Sequence, residues 1–309
     1  MSTFLYSHPS CVQHDPGPMH PECPERLRAV LDGLSDEPFQ HLSRHEAPEI
    51  DLHIVEMVHQ PFYIEKILAS TPEQGRVQLD PDTVLSPQSL EATRRSAGAA
   101  VEAVDRVMAG DAKNAFCAVR PPGHHAESSR AMGFCLFNGA AIAAYHARSA
   151  HKLDRVAVID FDVHHGNGTQ HSCEAEPNLF YGSSHQWPAY PGTGQEDETG
   201  CADNIWNVPL PPGSGSAPFR RGYEKRILPA LRDFAPDLVI ISAGFDAHAC
   251  DPLAQLELQT DDYRWVTEQL LDVASECCDG RVVSLLEGGY DLKALRDSVQ
   301  VHVSALLSA

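Results

Sequence analysis

Four runs of apolar residues along the chain each end in a turn that carries acidic, histidine or tyrosine side chains. The runs lie in the segments NAFCAVRPPGHH, RVAVIDFDVHHGNG, DLVIISAGFDAH and RVVSLLEGGYD. Continuous apolar runs of this kind are typical of strands that are buried on both faces. Segments with helical spacing separate them, such as NGAAIAAYHARSAHK and TDDYRWVTEQLLDVASECC. The alternation predicts an α/β fold with an open, mostly parallel sheet and helices on both faces.

Two more helices are predicted before the first of these strands. PERLRAVLDGL has helical spacing, and the longer segment QSLEATRRSAGAAVEAVDRVMAG is expected to end at Gly110. No repeat, low-complexity tract or change of composition marks a boundary, so we predict a single domain over residues 1–309. Ligands of parallel sheets bind beyond the carboxyl ends of the strands. The four polar turns are therefore expected to meet there and form the active site.

The composition is that of a globular protein with a strong acidic excess. Hydrophobic residues make up 42% of the chain, and 43 acidic against 23 basic residues give a formal net charge of −20. No basic run is longer than a pair, such as Arg94–Arg95 and Arg220–Arg221, which argues against nucleic acid as a partner. The acidic excess favours solubility and would attract a cationic substrate.

Three features favour a reducing compartment and argue against a membrane protein. No stretch approaches the ~18 uninterrupted apolar residues of a membrane span. The opening segment MSTFLYSHPS has no basic region followed by an apolar one, so no export signal is expected. The nine cysteines form no C-x-x-C pair, which favours free thiols over a disulfide framework. We therefore expect a cytoplasmic protein, with an oligomeric state that the sequence leaves open.

Side chains at two predicted strand ends have the composition of a metal site. Alternation along an extended strand would place Asp160, Asp162 and His164 on one side. Asp246 follows a strand that is expected to be a neighbour. Two carboxylates and one imidazole leave a coordination position open, as a catalytic zinc requires. The alternative is a buried salt-bridge network, in which each unpaired charge would carry a desolvation penalty of several kcal/mol.

A second group of possible ligands lies near the N-terminus. Cys11, His14, His20 and Cys23 fall within a Pro-rich segment, and their spacing is not that of a standard zinc finger. The sequence leaves open whether these residues bind a structural zinc ion.

Tandem histidines and a tyrosine supply groups for proton transfer and oxyanion stabilisation. His124 and His125 follow a Pro-Pro-Gly turn, and neutral histidine is the usual proton carrier near pH 7. Each ring needs a partner on its other nitrogen, and Asp160 and Asn167 are available. Tyr290 follows two glycines, which let the backbone approach a ligand closely, and its hydroxyl could donate to an oxyanion.

Other histidines and aromatic residues have a less specific interpretation. The segments GFC at 133–135 and WPAYPGTG at 187–194 could line a narrow channel or simply pack in the core. His146 and His151 are interpreted as ordinary structural histidines.

Six short motifs together resemble those of the zinc-dependent histone deacetylase superfamily. They are RPPGHHA, GFCLFN, DFDVHHGNGT, PGTG, SAGFDAH and EGGYD, and they follow the family's order over nearly the whole chain. The asparagine in HHGNG and the segment HPECPERL resemble class II enzymes. The superfamily also includes acetylpolyamine amidohydrolases and bacterial deacetylase-like proteins. The resemblance implies an arginase/deacetylase-like version of the predicted sheet and a zinc-dependent deacetylase.

The resemblance implies metal-assisted amide hydrolysis with one Zn²⁺ per chain. The implied zinc ligands are Asp162, His164 and Asp246. A monovalent cation, usually K⁺, is implied near Asp160 and Ser183.

The resemblance also assigns roles to the catalytic side chains. His125 would be the general base, and His124 an electrostatic or acid partner. Asp160 would orient His124, and Asn167 would stand at the partner position of His125. Tyr290 would polarise the scissile carbonyl.

A channel for the acyl-lysine side chain is implied as well. Phe134 would form one wall with Gly133 beside it, and Tyr190 the other wall, where many relatives have phenylalanine. Asp82 would be the aspartate at the rim that holds the backbone or amine of the substrate. Leu253 would occupy the gatekeeper position, which is glutamate in relatives that prefer polyamines.

The substrate and two rival functions remain open at this stage. The apolar Leu253 favours acetyl-lysine in peptides or proteins, whereas the acidic excess keeps acetylpolyamines possible. A binuclear manganese ureohydrolase would need carboxylates where Gly166 and His248 stand. A non-catalytic acyl binder would be expected to have lost a ligand, a histidine or the tyrosine, and none is missing.

Overall fold

The computed structural model describes residues 2–309, and its strands form two separate sheets. The strands are β1 (Ser2–Ser7), β2 (Ser43–Glu46), β3 (Val77–Asp80), β4 (Thr83–Leu85), β5 (Ala112–Cys117), β6 (Val156–Asp160), β7 (Leu179–Gln186), β8 (Ile205–Leu210), β9 (Leu238–Ala243) and β10 (Val282–Leu286). The strands β3 and β4 form a small antiparallel hairpin, and the other eight strands make the main sheet.

Helices connect most of the strands of the main sheet. They are α1 (Pro9–Gln13), α2 (Pro24–Gly33), α3 (Leu52–Val55), α4 (Pro61–Ser70), α5 (Ser89–Ala109), α6 (Gly139–His151), α7 (Asn167–Cys173), α8 (Ser216–Gly222), α9 (Leu228–Phe234), α10 (Thr260–Cys278) and α11 (Leu292–Ser308). One π-helical turn, Tyr223–Ile227, joins α8 to α9, and a 3₁₀ turn spans Glu37–Phe39. The predicted long helix ends as expected, because Gly110 caps α5 with a left-handed φ of 79°.

The main sheet is parallel in every pairing, with the strand order β2-β1-β5-β10-β9-β6-β7-β8. The four strands that precede the polar turns, β5, β10, β9 and β6, are consecutive in this order. Their carboxyl ends therefore lie side by side at one edge. The prediction of an open parallel sheet with polar turns at a common edge is confirmed.

Helices cover both faces of the sheet, as two adjacent residues of β10 demonstrate. Ser284 Oγ lies 2.8 Å from His302 Nε2 on α11. The next side chain, Leu285, lies against Gly139 of α6. Because successive side chains on a strand point to opposite faces, α11 and α6 lie on opposite sides of the sheet.

The central strands are apolar because both of their faces are covered. Every residue of β6, β9 and β10 is buried. Burying one valine, leucine or isoleucine side chain contributes about 1.5–3 kcal/mol. The core therefore holds the strands rigidly, and the polar groups are concentrated beyond their carboxyl ends.

The prediction that strand alternation places Asp160, Asp162 and His164 on one side is wrong in detail. The strand β6 ends at Asp160, and the backbone bends at residues 162–164. Asp162 and His164 are therefore placed by turns rather than by the period of a strand. The strand β5 likewise ends at Cys117, well before His124.

The structure does not bring the four N-terminal candidate zinc ligands together. His14 Nδ1 lies 2.7 Å from Ser89 Oγ, and its Nε2 lies 3.3 Å from Glu22 Oε2. His20 Nε2 contacts the carbonyl oxygen of Asp82, and Cys11 Sγ contacts that of Ala92. The segment surrounds the buried carboxylate of Glu22, which His14 contacts and with which Arg120 and Arg26 form ion pairs.

Two predictions from composition can be compared with the structure. All nine cysteines are free thiols. Between residues 2 and 309, no helix is both long enough and apolar enough to cross a membrane.

Candidate active site

The three predicted metal ligands converge at the ends of β6 and β9. His164 Nδ1 lies 3.2 Å from Asp162 Oδ1 and 3.1 Å from Asp246 Oδ2. Both aspartates are 1% exposed, and the histidine side chain is 13% exposed. The two turns therefore present two carboxylate oxygens and one imidazole nitrogen to a single point.

Backbone N–H groups hold the second oxygen of each ligand carboxylate. Asp162 Oδ2 accepts a hydrogen bond of 2.8 Å from Gly288 N, and Asp246 Oδ1 accepts one of 2.8 Å from Val163 N. Each carboxylate thus has one oxygen fixed by the fold and the other directed towards His164. Groups that orient ligands in this way are a regular part of metal sites in proteins.

Two glycines are required for this close approach of the backbone. A Cβ atom added at Gly288 would lie 2.3 Å from Asp246 Oδ2 and 2.5 Å from Asp162 Oδ2. A Cβ atom at Gly244 would lie 2.1 Å from Asp162 Oδ2. Real Cβ contacts are longer than this, so any side chain at either position would displace a carboxylate.

The three residues fit a zinc ion by charge and by donor chemistry. Within residues 2–309, no lysine or arginine forms an ion pair with Asp162 or Asp246. One imidazole nitrogen carries at most one proton and cannot satisfy two carboxylates at once. A divalent cation would neutralise the buried charge, and one nitrogen with two oxygens is a set that zinc accepts.

The tandem histidines lie beside this point with different partners. His124 Nδ1 is 3.0 Å from Asp160 Oδ2, and His125 Nδ1 is 2.9 Å from Asn167 Oδ1. The two rings are 4.0 Å apart between centroids. One histidine therefore has a carboxylate as partner and the other a neutral amide, as expected from the sequence.

The surroundings push the pKa values of the two histidines apart in the metal-free protein. Burial alone would lower the pKa of His124, but the carboxylates of Asp162 and Asp160 outweigh it and raise that pKa well above its ordinary value. Burial, together with His124 and His164, lowers the pKa of His125 well below its ordinary value. Without a metal, the surroundings therefore favour the protonated form of His124 and the neutral form of His125.

Tyr290 belongs to the EGGYD segment, which directly follows β10. Its backbone N–H donates to Asp251 Oδ2 over 2.7 Å, and the guanidinium carbon of Arg26 lies 4.8 Å from its ring centroid. Burial, with Asp246 and Asp162 nearby, raises the pKa of Tyr290 well above its ordinary value. The phenol therefore stays protonated and able to donate a hydrogen bond.

A cavity of about 250 Å³ leads to these groups. Its lining consists of Asp82, His125, Gly133, Phe134, His164, Tyr190, Leu253 and Tyr290. The ring of Phe134 packs edge-on against Tyr290 at 5.9 Å, and the ring of Tyr190 packs edge-on against His125 at 5.1 Å. All five channel residues expected from the sequence therefore line one cavity.

Two of the lining residues have structural roles that the sequence did not reveal. Gly133 has a φ of +55°, and a Cβ atom there would lie 2.3 Å from His125 Cδ2, so glycine lets the histidine ring pack against the backbone. Asp82 Oδ1 accepts a hydrogen bond of 3.0 Å from Gly133 N. The carboxylate of Asp82 thus supports the channel wall as well as lying at its rim.

The predicted potassium site falls on two paired strand positions. Asp160 of β6 lies opposite Ser183 of β7 in the sheet register. Ser183 Oγ is 2.9 Å from His185 Nδ1, and Asp160 Oδ1 accepts a hydrogen bond of 3.1 Å from Asp162 N. Potassium binding at these residues stays a prediction.

Glu287 begins the EGGYD motif and is among the polar residues that follow the apolar runs, but no role could be assigned to it from the sequence. Its Oε2 accepts hydrogen bonds from Gly123 N at 2.7 Å and His124 N at 3.2 Å, and its Oε1 accepts one from Ser242 Oγ at 3.2 Å. The carboxylate therefore holds the loop with the tandem histidines against β10. A glutamate directly after the mostly apolar run VVSLL was the signal in the sequence that could have identified it.

A second metal ion would need carboxylates at positions 166 and 248, where this chain has glycine and histidine with other contacts. Gly166 N donates to the hydroxyl of Tyr181. His248 Nδ1 accepts from Cys250 N, and its Nε2 lies 3.3 Å from Thr260 Oγ1. In the part of the chain that the structure describes, the ligand set comprises Asp162, His164 and Asp246 without a second bridging carboxylate.

At the ends of the central strands of the parallel sheet, three side chains that could hold a metal ion thus lie beside tandem histidines and a tyrosine, a combination that suits amide hydrolysis. Comparison with known proteins agrees with this interpretation. A family model described as the histone deacetylase domain matches residues 20–306. The solved structure of the HDA15 HD domain superposes with a TM-score of 0.93 at 34% identity, covering 100% of this chain and 89% of that one.

Two relatives show the range of the family. The histone deacetylase-like amidohydrolase of Pseudomonas aeruginosa is 40% identical over 277 residues, which are 87% of this chain and 71% of that protein. The polyamine deacetylase HDAC10 of Mus musculus is 37% identical over 313 residues, covering 93% of this chain and 45% of that protein. The chain belongs to the histone deacetylase family, as the sequence motifs predicted.

Proposed function

We propose that this protein removes acetyl or other acyl groups from the lysine side chains of peptides or proteins, with zinc held by Asp162, His164 and Asp246. One observation carries the proposal. The metal ligand His164, the histidine His125 and the hydroxyl-bearing Tyr290 all line the same narrow cavity. A carbonyl at its base would be within reach of all three groups.

His125 acts as the general base in this proposal. A bound zinc ion would supply Lewis acidity, which polarises the acyl carbonyl and makes water easier to deprotonate. Asn167 occupies Nδ1 of His125 at 2.9 Å, so Nε2 is the nitrogen available to take a proton from the attacking water. The protonated ring can then return that proton to the departing lysine amine.

His124 and Tyr290 stabilise charge around the reacting carbonyl. His124, which Asp160 contacts at 3.0 Å, is the electrostatic or acid partner of His125. Tyr290 donates its hydroxyl to the oxyanion that forms when water adds to the carbonyl.

The walls of the cavity suit the apolar stem of an acylated lysine. Phe134 and Tyr190 supply aromatic surface, and Leu253 adds an apolar side chain that is 37% exposed at the entrance. Contact with such surfaces releases water from the methylene chain and favours its entry. The apolar side chain of Leu253 offers no partner for a second substrate amine, which supports acyl-lysine as the substrate.

Acetylpolyamines are the second candidate, favoured by the acidic residues at the other side of the entrance. Asp82 lines the cavity, and Asp80 Oδ1 accepts a hydrogen bond of 3.1 Å from Asp82 N. The chain has a net charge of −20, which would attract a polycation. A relative from mouse is named a polyamine deacetylase.

Two further parts of the proposal concern the surroundings of the enzyme. A potassium ion at Asp160 and Ser183 would stabilise the strand ends that hold the zinc ligands.

A cytoplasmic location is supported by the nine free cysteines, since free thiols persist in reducing compartments.

Deacetylation assays on zinc-loaded protein test the proposal directly. A panel of acetyl-lysine peptides would be compared with N-acetylputrescine and N-acetylspermidine by kcat/KM. We expect the peptides to be preferred. A preference for the acetylpolyamines would transfer the assignment to the second candidate, and no turnover of either class would contradict both.

The variant Leu253→Glu tests which side of the entrance selects the substrate. A carboxylate at this position should raise the ratio of acetylpolyamine to peptide kcat/KM by about 10-fold, because it can pair with a substrate amine. Leu292→Glu is the matched control, since Leu292 is also exposed, at 39%, but does not line the cavity. An equal response of the two variants would show that general surface charge, not Leu253, sets the preference.

A further inference from the structure

The amide of Asn167 connects His125 to a carboxylate outside the cavity. Asn167 Oδ1 lies 2.9 Å from His125 Nδ1, and Asn167 Nδ2 lies 2.8 Å from Glu127 Oε1. An ionised carboxylate only accepts hydrogen bonds. It must therefore face the NH₂ group of the amide, and this turns the amide oxygen towards His125.

The orientation of the amide decides which nitrogen of His125 carries the proton. An oxygen opposite Nδ1 requires an N–H at Nδ1, and a neutral imidazole has only one N–H. The lone pair is then on Nε2, the nitrogen needed for a base in the cavity. Turning the amide by 180° would place NH₂ opposite Nδ1 and move the proton to Nε2.

Glu127 is the strongest of the groups that hold the amide in this orientation. The other acceptors near Asn167 Nδ2 are the carbonyl oxygen of His125 at 3.5 Å and Met132 Sδ at 3.4 Å. Both are neutral and more distant, whereas the bond to Glu127 is short and charge-assisted. The two weaker contacts favour the same orientation but do not enforce it.

We propose that Glu127 is a positioning residue that sets the tautomer of His125 through the amide of Asn167. The inference rests on the proposed function, in which His125 is the base. His124 has the carboxylate of Asp160 as its direct partner. The side chain of Asn167 separates Glu127 from His125. Glu127 can therefore orient the imidazole of His125 without placing a carboxylate charge next to it.

Glu127 lies at an open cleft, so its side chain can be changed without disturbing the core. The cleft has a volume of about 380 Å³, and Glu127, Asn167, His171 and Glu174 are among its lining residues. The Glu127 side chain is 26% exposed, and its Oε1 is 3.5 Å from His171 Nδ1. Asn167 thus separates this cleft from the cavity that contains His125.

The variant Glu127→Lys reverses the hydrogen-bonding character at this position. An ammonium only donates, so the amide oxygen of Asn167 should turn towards it and the NH₂ group towards His125. We expect the proton of His125 to move from Nδ1 to Nε2, and kcat to fall at least about 10-fold with KM within about threefold. Glu127→Gln still offers an acceptor oxygen and should retain the Nδ1–H tautomer and most of the kcat.

The tautomer can be measured independently of activity. Zinc-loaded protein with ¹⁵N-labelled histidine would be studied by two-bond ¹H–¹⁵N correlation spectra, with the His125 signals assigned by their loss in His125→Ala. Glu174→Lys is the matched control, because Glu174 lines the same cleft and contacts His171 at 3.6 Å but is not bonded to Asn167. An Nδ1–H signal that persists in Glu127→Lys, or an equal kcat loss in Glu174→Lys, would overturn the inference.

A double-variant cycle guards against a general folding defect. Asn167→Asp removes the amide donor and sets two carboxylates against each other, so activity should fall. Adding Glu127→Gln supplies an NH₂ donor to the new carboxylate. The kcat of the double variant should therefore be at least about threefold higher than that of Asn167→Asp alone. Absence of recovery would count against Glu127 as the group that Asn167 depends on.

The two proposals can fail separately. If wild-type protein hydrolyses no acetyl amide but the tautomer switches in Glu127→Lys, the proposed function is wrong and the role of Glu127 stands. If wild-type protein is active and the tautomer does not respond, the function stands and the inference is wrong.

Discussion

Two clusters of histidine and aspartate in this molecule use the same side chains in opposite proportions. The inner cluster at the sheet edge has two carboxylates and one imidazole, Asp162, Asp246 and His164. The outer cluster, between α5 and α6, has one carboxylate and two imidazoles, Asp105, His146 and His151. The closest ligand atoms are 3.1–3.2 Å apart in the inner cluster and 2.6–2.7 Å apart in the outer one.

The two clusters differ in whether the hydrogen-bond donors and acceptors of their side chains can satisfy one another. In the outer cluster each neutral imidazole can donate its Nε2–H to Asp105 Oδ1, so hydrogen bonds alone satisfy the group. In the inner cluster two acceptors face a single imidazole nitrogen, and the side chains are almost completely buried. The chemistry of the side chains therefore favours a cation at the inner cluster and not at the outer one. Three potential ligands in proximity therefore do not by themselves indicate a metal site.

Removing one inner carboxylate should have the largest effect. Asp246→Asn loses a charged ligand, and we expect zinc affinity to fall by more than about 100-fold, beyond the range seen for groups that only orient a ligand, with deacetylase activity lost. Zinc content after equilibrium dialysis, measured by inductively coupled plasma mass spectrometry, checks this. Asp105→Asn is the control and should keep one zinc per chain. Two zinc ions in wild-type protein and one in Asp105→Asn would show that the outer cluster also binds metal.

Removing the Tyr290 hydroxyl should impair catalysis without affecting the metal. Tyr290→Phe deletes the proposed oxyanion donor, and kcat should fall by about 10²–10³ while zinc content stays near that of the wild type. Steady-state kinetics and metal analysis of the same preparation measure both. Tyr145→Phe, which removes a hydroxyl bonded to Ser172 O at 2.8 Å on the far side of α6, should be nearly silent. Wild-type kcat in Tyr290→Phe would remove this residue from the mechanism.

The variant Gly288→Ala should weaken zinc binding at the inner cluster, because the added methyl group would displace the ligand carboxylates. Its Cβ would lie within 2.5 Å of both ligand carboxylates, so we expect zinc affinity to fall by about 10- to 100-fold. Competition with a chromophoric chelator measures the affinity. Gly215→Ala serves as the control, because the nearest atom to its Cβ would be 3.3 Å away and outside the site. Equal affinities in the two variants would contradict the proposed packing.

The outer cluster should contribute a small, pH-dependent stabilisation. Burial opposes ionisation of Asp105, but hydrogen bonds with His146 and His151 outweigh it and hold the pKa of this carboxyl below its ordinary value. A depressed folded-state pKa stabilises the protein above the unfolded pKa of about 3.9, and this stabilisation is lost as the pH falls through the folded value. Since the Asp105 side chain is 40% exposed, solvent screening limits the effect to below about 1 kcal/mol.

Urea unfolding of wild type and Asp105→Asn at about pH 6 and about pH 3 tests this sign. The wild type should be the more stable protein at the higher pH, and the difference should shrink at the lower pH. Asp279→Asn, at a side chain that is 90% exposed, controls for the loss of a surface charge. A difference that grows on acidification would show that the cluster does not stabilise the ionised Asp105.

The chain itself carries the information for the fold class and for most of the site. Apolar runs that are hydrophobic at consecutive positions can be stable only as strands covered on both faces, and this requirement does not depend on distant residues. The polar residues after those runs must then lie at the carboxyl edge. Asp162, Asp246 and His125 could be recognised in this way, and the motifs around them identified the family.

Tertiary structure decided what depends on contacts between distant segments. The strand β6 stops at Asp160, so turns held by Val163 N and Gly288 N, not strand alternation, aim the ligands. Glu127 acquires its proposed role only because α7 brings Asn167 within 2.8 Å of it. The outer cluster likewise forms only when α5 packs against α6. Periodicity is a local property that a sequence displays, whereas the pairing of donors and acceptors is settled only when the packed core fixes which segments meet.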